Sequence, residues 1–393
     1  MFGWEFPPNC IGGLGRVCYN LVKNLSKKNV NVIFVMPKGS SNSKFGKIIS
    51  LDDPFVEIKS VKSPLVCYMT PEQYQQEILI PSPKKPGIYG RNLFEEVENY
   101  TKKAERIIKR ENYDIIHVHD WMTFKAGIAA KKLSGKPLIV HVHSTEFDRS
   151  GDDVNQAVYD IEREGMHSAD SIIAVSNYTK NKIIKHYGIS EKRIHVVYNG
   201  IESVYNSLID KINKNDKIVL FFGRITFQKG PDYFLAVAKK LLAHNQNIKF
   251  VIAGSGDMEH YLIEKAAEMG ISDRVIFTGF LQEEDVNRIY QYADVYILPS
   301  VSEPFGITAL EAMNNGVPVV ISKNSGVTEV VKHCLKVDFW DIDEICNKTL
   351  ALLNHDALHT CIREEGFQEV SRITWEESTN KCIDVYKNSL GGL

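Results

Sequence analysis

Four charged side chains carry most of the chemistry legible in this 393-residue sequence. Glu303 and Glu311 enclose the seven residues PFGITAL, and Arg224 and Lys229 share the stretch GRITFQKG. Carboxylates accept hydrogen bonds from hydroxyl groups, while a guanidinium and an ammonium close together can take the charge of a diphosphate. A single Glu at a turn is commonly solvated or capping, and two basic residues are commonly just exposed. The argument therefore rests on what surrounds them.

Each of these residues falls where a strand hands over to a helix. Val295–Leu298 predicts a buried strand ended by Pro299 and Ser300, and Gly306 onwards predicts a helix stopped by Gly316. Glu303 is then in the loop and Glu311 in the second or third helical turn. The amides around Phe305, Gly306, Ile307 and Thr308 become the free donors of a helix start, which suits a phosphate. Arg224 and Lys229 follow the strand 217–222 and precede a helical stripe of Tyr233, Phe234, Val237, Ala238 and Leu241. Strand 250–253 runs into Gly254-Ser255-Gly256, and strand 275–278 into Gly279-Phe280.

The first half repeats this plan. Ile11-Gly12-Gly13-Leu14-Gly15 precedes a helix whose apolar face is Val17, Leu21, Val22 and Leu25, so glycine lets backbone approach an anion. Strand 114–118 delivers His119 and Asp120, and strand 137–142 delivers His143 and Glu146, to the ligand edge of an α/β sheet. The histidines 117, 119, 141 and 143 alternate along two strands and read as core or shell residues rather than metal ligands. Met1–Glu5 reads as a clipped first strand, as from a longer native start. The segment from Pro37 to Arg91 carries no signal beyond short β-like pieces, and Asn199-Gly200 reads as a hinge.

Composition sets the frame. A length of 393 residues, 44% hydrophobic and 24% charged, predicts two domains with full cores. A formal net charge of -2 gives no reason for nucleic-acid binding. The basic strip Lys102, Lys103, Arg106, Lys109 and Arg110 reads as a solvated helix face and is the surface that a peripheral membrane contact would use. Seven scattered cysteines without a C-x-x-C pair predict neither a disulfide framework nor a zinc site and fit a reducing cytoplasm. No apolar run is long enough to span a membrane.

Glu303-PFGITAL-Glu311 resembles the E-x7-E motif of retaining glycosyltransferases of family 4, which have the GT-B fold of two Rossmann-like domains. The G-R-x4-K-G element at 223–230, the glycines at 12 and 13, and the turn at Gly254 resemble the same family, and the likeness extends over almost the whole chain. The resemblance implies an acceptor domain at 1–200, a nucleotide-sugar domain at 201–373, and a last helix at 374–393 returning to the first domain. It implies a nucleoside diphosphate sugar as co-substrate, no other cofactor and no metal. Glu303, Arg224, Lys229 and His143 would be catalytic. Gly12, Gly13, Gly254, Gly279, Phe280, Phe305, Gly306, Ile307, Thr308 and Glu311 would bind the donor, and Asp120 and Glu146 would stand on the acceptor or sugar side. HVHDW at 117–121 and HSTEFDR at 143–149 are similar to the glycogen and starch synthase branch, which implies glucose and an α-glucan acceptor. The first loop departs from it: those synthases carry K-T-G-G-L-x-D-V, whereas this chain has CIGGLGRV. Surface polysaccharide, glycolipid or disaccharide synthesis, or a nucleotide-sugar-binding protein without activity, are the other readings.

Overall fold

The computed structural model describes residues 1–6, 12–37, 56–61, 93–202 and 216–391. Cys10, Ile11, Cys67 and most of the segment between Pro37 and Arg91 lie outside the described residues. Two parallel α/β sheets organise what is described, each with helices on its faces.

The first sheet contains β1 (Val32–Pro37), β2 (Val56–Val61), β3 (Ile116–His119), β4 (Leu138–Val142), β5 (Ser171–Ala174) and β6 (Ile194–Val196). Pairs β1–β2 and β3–β4–β5–β6 are joined by the opening residues, because Phe2 bridges Val35 on one side and Val118 on the other. Its amide donates to His117 O at 2.8 Å and its carbonyl accepts from His119 N at 3.0 Å. The opening stretch thus lies between β1 and β3, in the middle of the sheet. It is held there by pairing on both sides and by the burial of Phe2, Trp4 and Phe6.

The helices of this half are α1 (Gly13–Ser26), α2 (Leu93–Ile108), α3 (Trp121–Ser134), the single turn α4 (Glu146–Arg149), α5 (Gln156–Ser168) and α6 (Asn177–Tyr187). On α1 the stripe Val17, Leu21, Val22 and Leu25 is fully inside. Each such side chain stabilises the fold by roughly 1.5–3 kcal/mol through apolar burial. Lys102, Arg106, Lys109 and Arg110 are on the outer side of α2 or just past it, opposite the buried Val97, Tyr100 and Ala104.

The second sheet has six parallel strands in the order β12-β11-β10-β7-β8-β9. They are β7 (Lys217–Phe222), β8 (Ile248–Ala253), β9 (Val275–Gly279), β10 (Val295–Leu298), β11 (Val319–Ser322) and β12 (Leu335–Val337). Helices α7 (Pro231–His244), α8 (Glu259–Glu268), α9 (Glu283–Tyr292), α10 (Ile307–Asn314), α11 (Ile342–Asn354) and α12 (Asp356–Val370) cover it. Both sheets wind outward in two directions from their first strand, the doubly wound plan.

Helix α13 (Trp375–Ser389) packs on α1 and β5 of the first half, burying Cys382, Val385 and Tyr386 in that half's core. The chain therefore passes between the halves twice. The two passages lie side by side: Ile201 bridges Thr374, its amide donates to Ile373 O at 3.0 Å, and Ser378 Oγ donates to Tyr198 O at 2.6 Å. At Gly200 a Cβ atom would stand 2.2 Å from Trp375 N, so only glycine permits this approach.

Candidate active site

In an open parallel sheet the ligand crevice lies at the carboxyl ends of the two strands where the winding direction changes. In the second sheet those strands are β7 and β10, which lead into the Arg224 loop and the Glu303 loop. In the first they are the opening strand and β3, followed by the Gly12 turn and by His119. The two crevices face each other across a cavity of about 540 Å³. Gly12, Gly13, Arg16, His143 and Ser144 line it from the first half. Arg224, Gln228, Lys229, Gly254, Phe280, Glu303, Phe305, Gly306, Ile307, Thr308 and Glu311 line it from the second. Gly279 adjoins this wall without lining it, its carbonyl accepting from Gly254 N at 3.0 Å.

The charges at the centre are paired. Lys229 Nζ lies 2.5 Å from Glu303 Oε2, both side chains being largely buried, and Ser300 Oγ donates to the same oxygen at 3.4 Å. Arg224 Nη2 donates to Gln228 Oε1 at 3.3 Å, and both residues line the cavity. Helix α10 starts at Ile307 behind Gly306, and Gly306, Ile307 and Thr308 line the cavity. One turn further in, Glu311 accepts from Arg16 Nη1 at 2.7 Å and from Tyr290 Oη at 3.1 Å. Arg16 comes from α1 in the other half, so this pair spans the cleft. The sequence offers no signal for Arg16, Gln228 or Tyr290. Only the fold brings them to the site.

The Gly254-Ser255-Gly256 turn owes its composition to backbone packing. Gly254 has φ +125°, and a Cβ there would meet Gly223 O at 1.9 Å, against the residue preceding Arg224. Gly254→Ala is expected to displace the Arg224 loop and lower stability by roughly 1–3 kcal/mol, read as a drop in Tm, with transfer reduced as well.

His143 closes the cavity from the first half. Registered pairing of β3 with β4 sets His119 beside His141, so His117, His119, His141 and His143 stack with ring centroids 4.1–5.3 Å apart. His117 Nδ1 meets Tyr386 Oη at 2.6 Å and His119 Nδ1 meets His143 Nε2 at 2.9 Å. Burial lowers the pKa of all four, that of His143 to about 3. His143 thus faces the cavity uncharged at neutral pH and serves as a hydrogen-bonding group. Nitrogens of His117, His119 and His141 come within 4.8 Å of one another.

Asp120 and Glu146 stand one layer behind this wall. Asp120 is fully buried with φ +56°, and its Oδ1 accepts from the amides of His143 at 2.7 Å and Ser144 at 3.4 Å, fixing that loop. Glu146 accepts from Arg149 Nε at 3.1 Å and Asn155 N at 3.2 Å. Burial raises the Asp120 pKa to about 7, although the His143 amide pulls it down. The folded carboxyl keeps its proton to about pH 7, whereas the unfolded one loses it near pH 4. Its stability contribution is therefore full below about pH 4 and lost as pH rises toward 7. Asp120→Asn is expected to abolish this slope, seen as a wild-type-minus-variant difference in unfolding free energy that changes between pH 4 and 7.

Two facing Rossmann-like domains, with cations, helix-start amides and carboxylates around the cavity between them, define a GT-B transferase of the nucleotide-sugar class. Residues 11–204 match the family model "Glycosyltransferase Family 4", and residues 207–368 match "Glycosyl transferases group 1". An uncharacterized glycosyltransferase of Methanocaldococcus jannaschii is 30% identical, covering 98% of this chain and 97% of its own. Glycogen synthase of Mycobacterium tuberculosis is 26% identical over 84% of this chain and 79% of its own. Among solved structures, sucrose-phosphate synthase from Thermosynechococcus elongatus superposes with a TM-score of 0.79 at 18% identity, covering 100% of this chain and 98% of that one. The chain belongs to the group 1 glycosyltransferases.

Proposed function

We propose that this protein is a retaining, metal-independent hexosyltransferase that moves glucose from a nucleoside diphosphate glucose to an α-1,4-glucan chain. One observation carries the reading: Arg224, Lys229, Glu303, Glu311 and His143 meet around a single cavity between the domains. Glu311 accepts hydrogen bonds from the ribose hydroxyls, and Phe280 and Gly279 stand beside the base. Arg224, Lys229 and the amides of α10 and the Gly12 turn stabilise the charge that grows on the leaving diphosphate. Glu303 and His143 hold the transferred sugar from opposite sides. The bond between the anomeric carbon and the phosphate oxygen breaks as the acceptor hydroxyl attacks from the same face, and its proton passes to the departing phosphate. Anomeric configuration is then retained, and the cations of the protein take the place of a metal. Closure about Asn199-Gly200 keeps water from the reacting carbon.

The first loop favours a second acceptor class. Arg16 and Val17 stand where the α-glucan synthases carry D-V, and no lysine precedes Gly12-Gly13 by two residues. A surface polysaccharide, a glycolipid or a disaccharide product fits this difference. The test is a donor screen with UDP-glucose and ADP-glucose, with and without glycogen or maltooligosaccharide, following diphosphate release and chain extension. Extension supports the α-glucan reading. Release without extension supports the second class, and binding without release from any donor overturns the enzymatic reading.

A further inference from the structure

Both neighbours of Glu303 in the chain are held by the opposite domain. On one side, Ser302 Oγ donates to Asp148 Oδ1 at 2.5 Å and accepts from Lys182 Nζ at 2.8 Å, with Tyr178 Oη 3.0 Å away. A hydroxyl has one proton and two lone pairs, so with Tyr178 donating, Ser302 uses its full capacity. On the other side, Pro304 O accepts from Ser176 Oγ at 2.6 Å. Lys182 Nζ also lies 2.6 Å from Asp148 Oδ1, while Asp148 Oδ2 accepts from Thr145 N at 2.7 Å. Thr145 is two residues beyond His143. A continuous polar chain therefore links the loop of His143 to the loop of Glu303, and it lies behind the cavity, since none of Asp148, Lys182 and Ser302 lines it.

We propose that Lys182, Asp148 and Ser302 form an interdomain latch of positioning residues that sets Glu303 against His143 in the closed cleft. This rests on the reading of Glu303 as a sugar-holding carboxylate. Asp148 is fully buried yet its carboxyl is held below the usual carboxylate range, because Lys182 and the hydrogen bonds of Ser302 and Thr145 outweigh its desolvation. The latch is thus a compensated charge pair with one hydroxyl carried by the partner domain. Ser302→Ala breaks the crossing and leaves that pair intact, whereas Lys182→Met breaks both and Lys182→Arg keeps the cation. A misplacement of about 1 Å at reacting groups can reduce a rate about a hundredfold.

The test is amide hydrogen exchange on the full chain, read at three local hydrogen bonds. Glu303 N donates to Asn324 O at 2.9 Å, Gly326 N to Glu303 O at 2.9 Å, and Val327 N to Phe305 O at 2.6 Å. In Ser302→Ala and Lys182→Met these amides are expected to exchange at least about tenfold faster, with β10 amides unchanged and Lys182→Arg like wild type. Unchanged rates, or a rise spread evenly over the second sheet, would overturn the latch. In transfer assays the same variants are expected to lose about tenfold or more in kcat, with donor KM within about twofold and more donor hydrolysed per transfer. Full transfer by the latch variants beside an inactive Glu303→Gln overturns the latch alone. Full transfer by Glu303→Gln overturns the assignment of Glu303 on which it rests.

Discussion

Lys229→Met is expected to lower kcat for transfer by about 10²- to 10³-fold, the loss seen when one stabilising donor is removed from developing charge. Lys229 lines the cavity, and its ammonium lies 2.5 Å from Glu303. The substitution also leaves Glu303 buried without its partner, which destabilises by about 3–5 kcal/mol in comparable pairs. Activity loss and unfolding would be confused in that single variant. The double variant Lys229→Met/Glu303→Gln removes both charges, so most of the Tm should return while transfer stays lost. Recovery of transfer in the double variant would mean that the pair only holds the loop, and that another group meets the leaving phosphates.

Glu311→Gln is expected to act on binding. Hydrogen bonds to a charged acceptor contribute about 1.5–3 kcal/mol, so donor KM should rise by about 10- to 100-fold with kcat nearly unchanged. Inhibition by the free nucleoside diphosphate should weaken by the same factor. A 2′,3′-dideoxyribose donor, already lacking both hydroxyls, should bind wild type and variant alike. Continued discrimination between ribose and dideoxyribose by the variant would remove Glu311 from its role. Because Arg16 occupies Glu311 at 2.7 Å, the donor must share or displace a cross-cleft ion pair, and moderate salt should change the KM of the wild type more than that of the variant.

The doubly wound folds were legible because buried parallel strands are continuous apolar runs and the chemistry follows their ends. Strand 295–298 and the helix that starts at Ile307 stand where the sequence puts them, and so do the loops carrying Arg224, Lys229 and Glu303. The place of the opening residues was harder to read, since nothing in so few residues announces that Phe2 bridges two strands distant in sequence. Gly254 belongs to a turn that resembles one of the family, and its conformation is also required by the carbonyl of Gly223. Arg16, Tyr290 and the Lys182 latch were silent because their partners are 295, 21 and 120 residues away and no spacing announces them. Asp120 and Glu146, read as standing on the sugar side, sit one layer back, where Asp120 accepts from the His143 amide and Glu146 from Arg149 and Asn155.

The paired passages between the domains give the molecule a mechanical character. A single peptide crossing would let one lobe twist, slide and swing with equal ease. Two crossings laced by the Ile201 and Ser378 hydrogen bonds, with Gly200 pressed on Trp375, resist torsion and shear and yield chiefly to bending across their common line. Lobes joined along one line in this way keep the His143 and Glu303 faces opposite each other across the cavity.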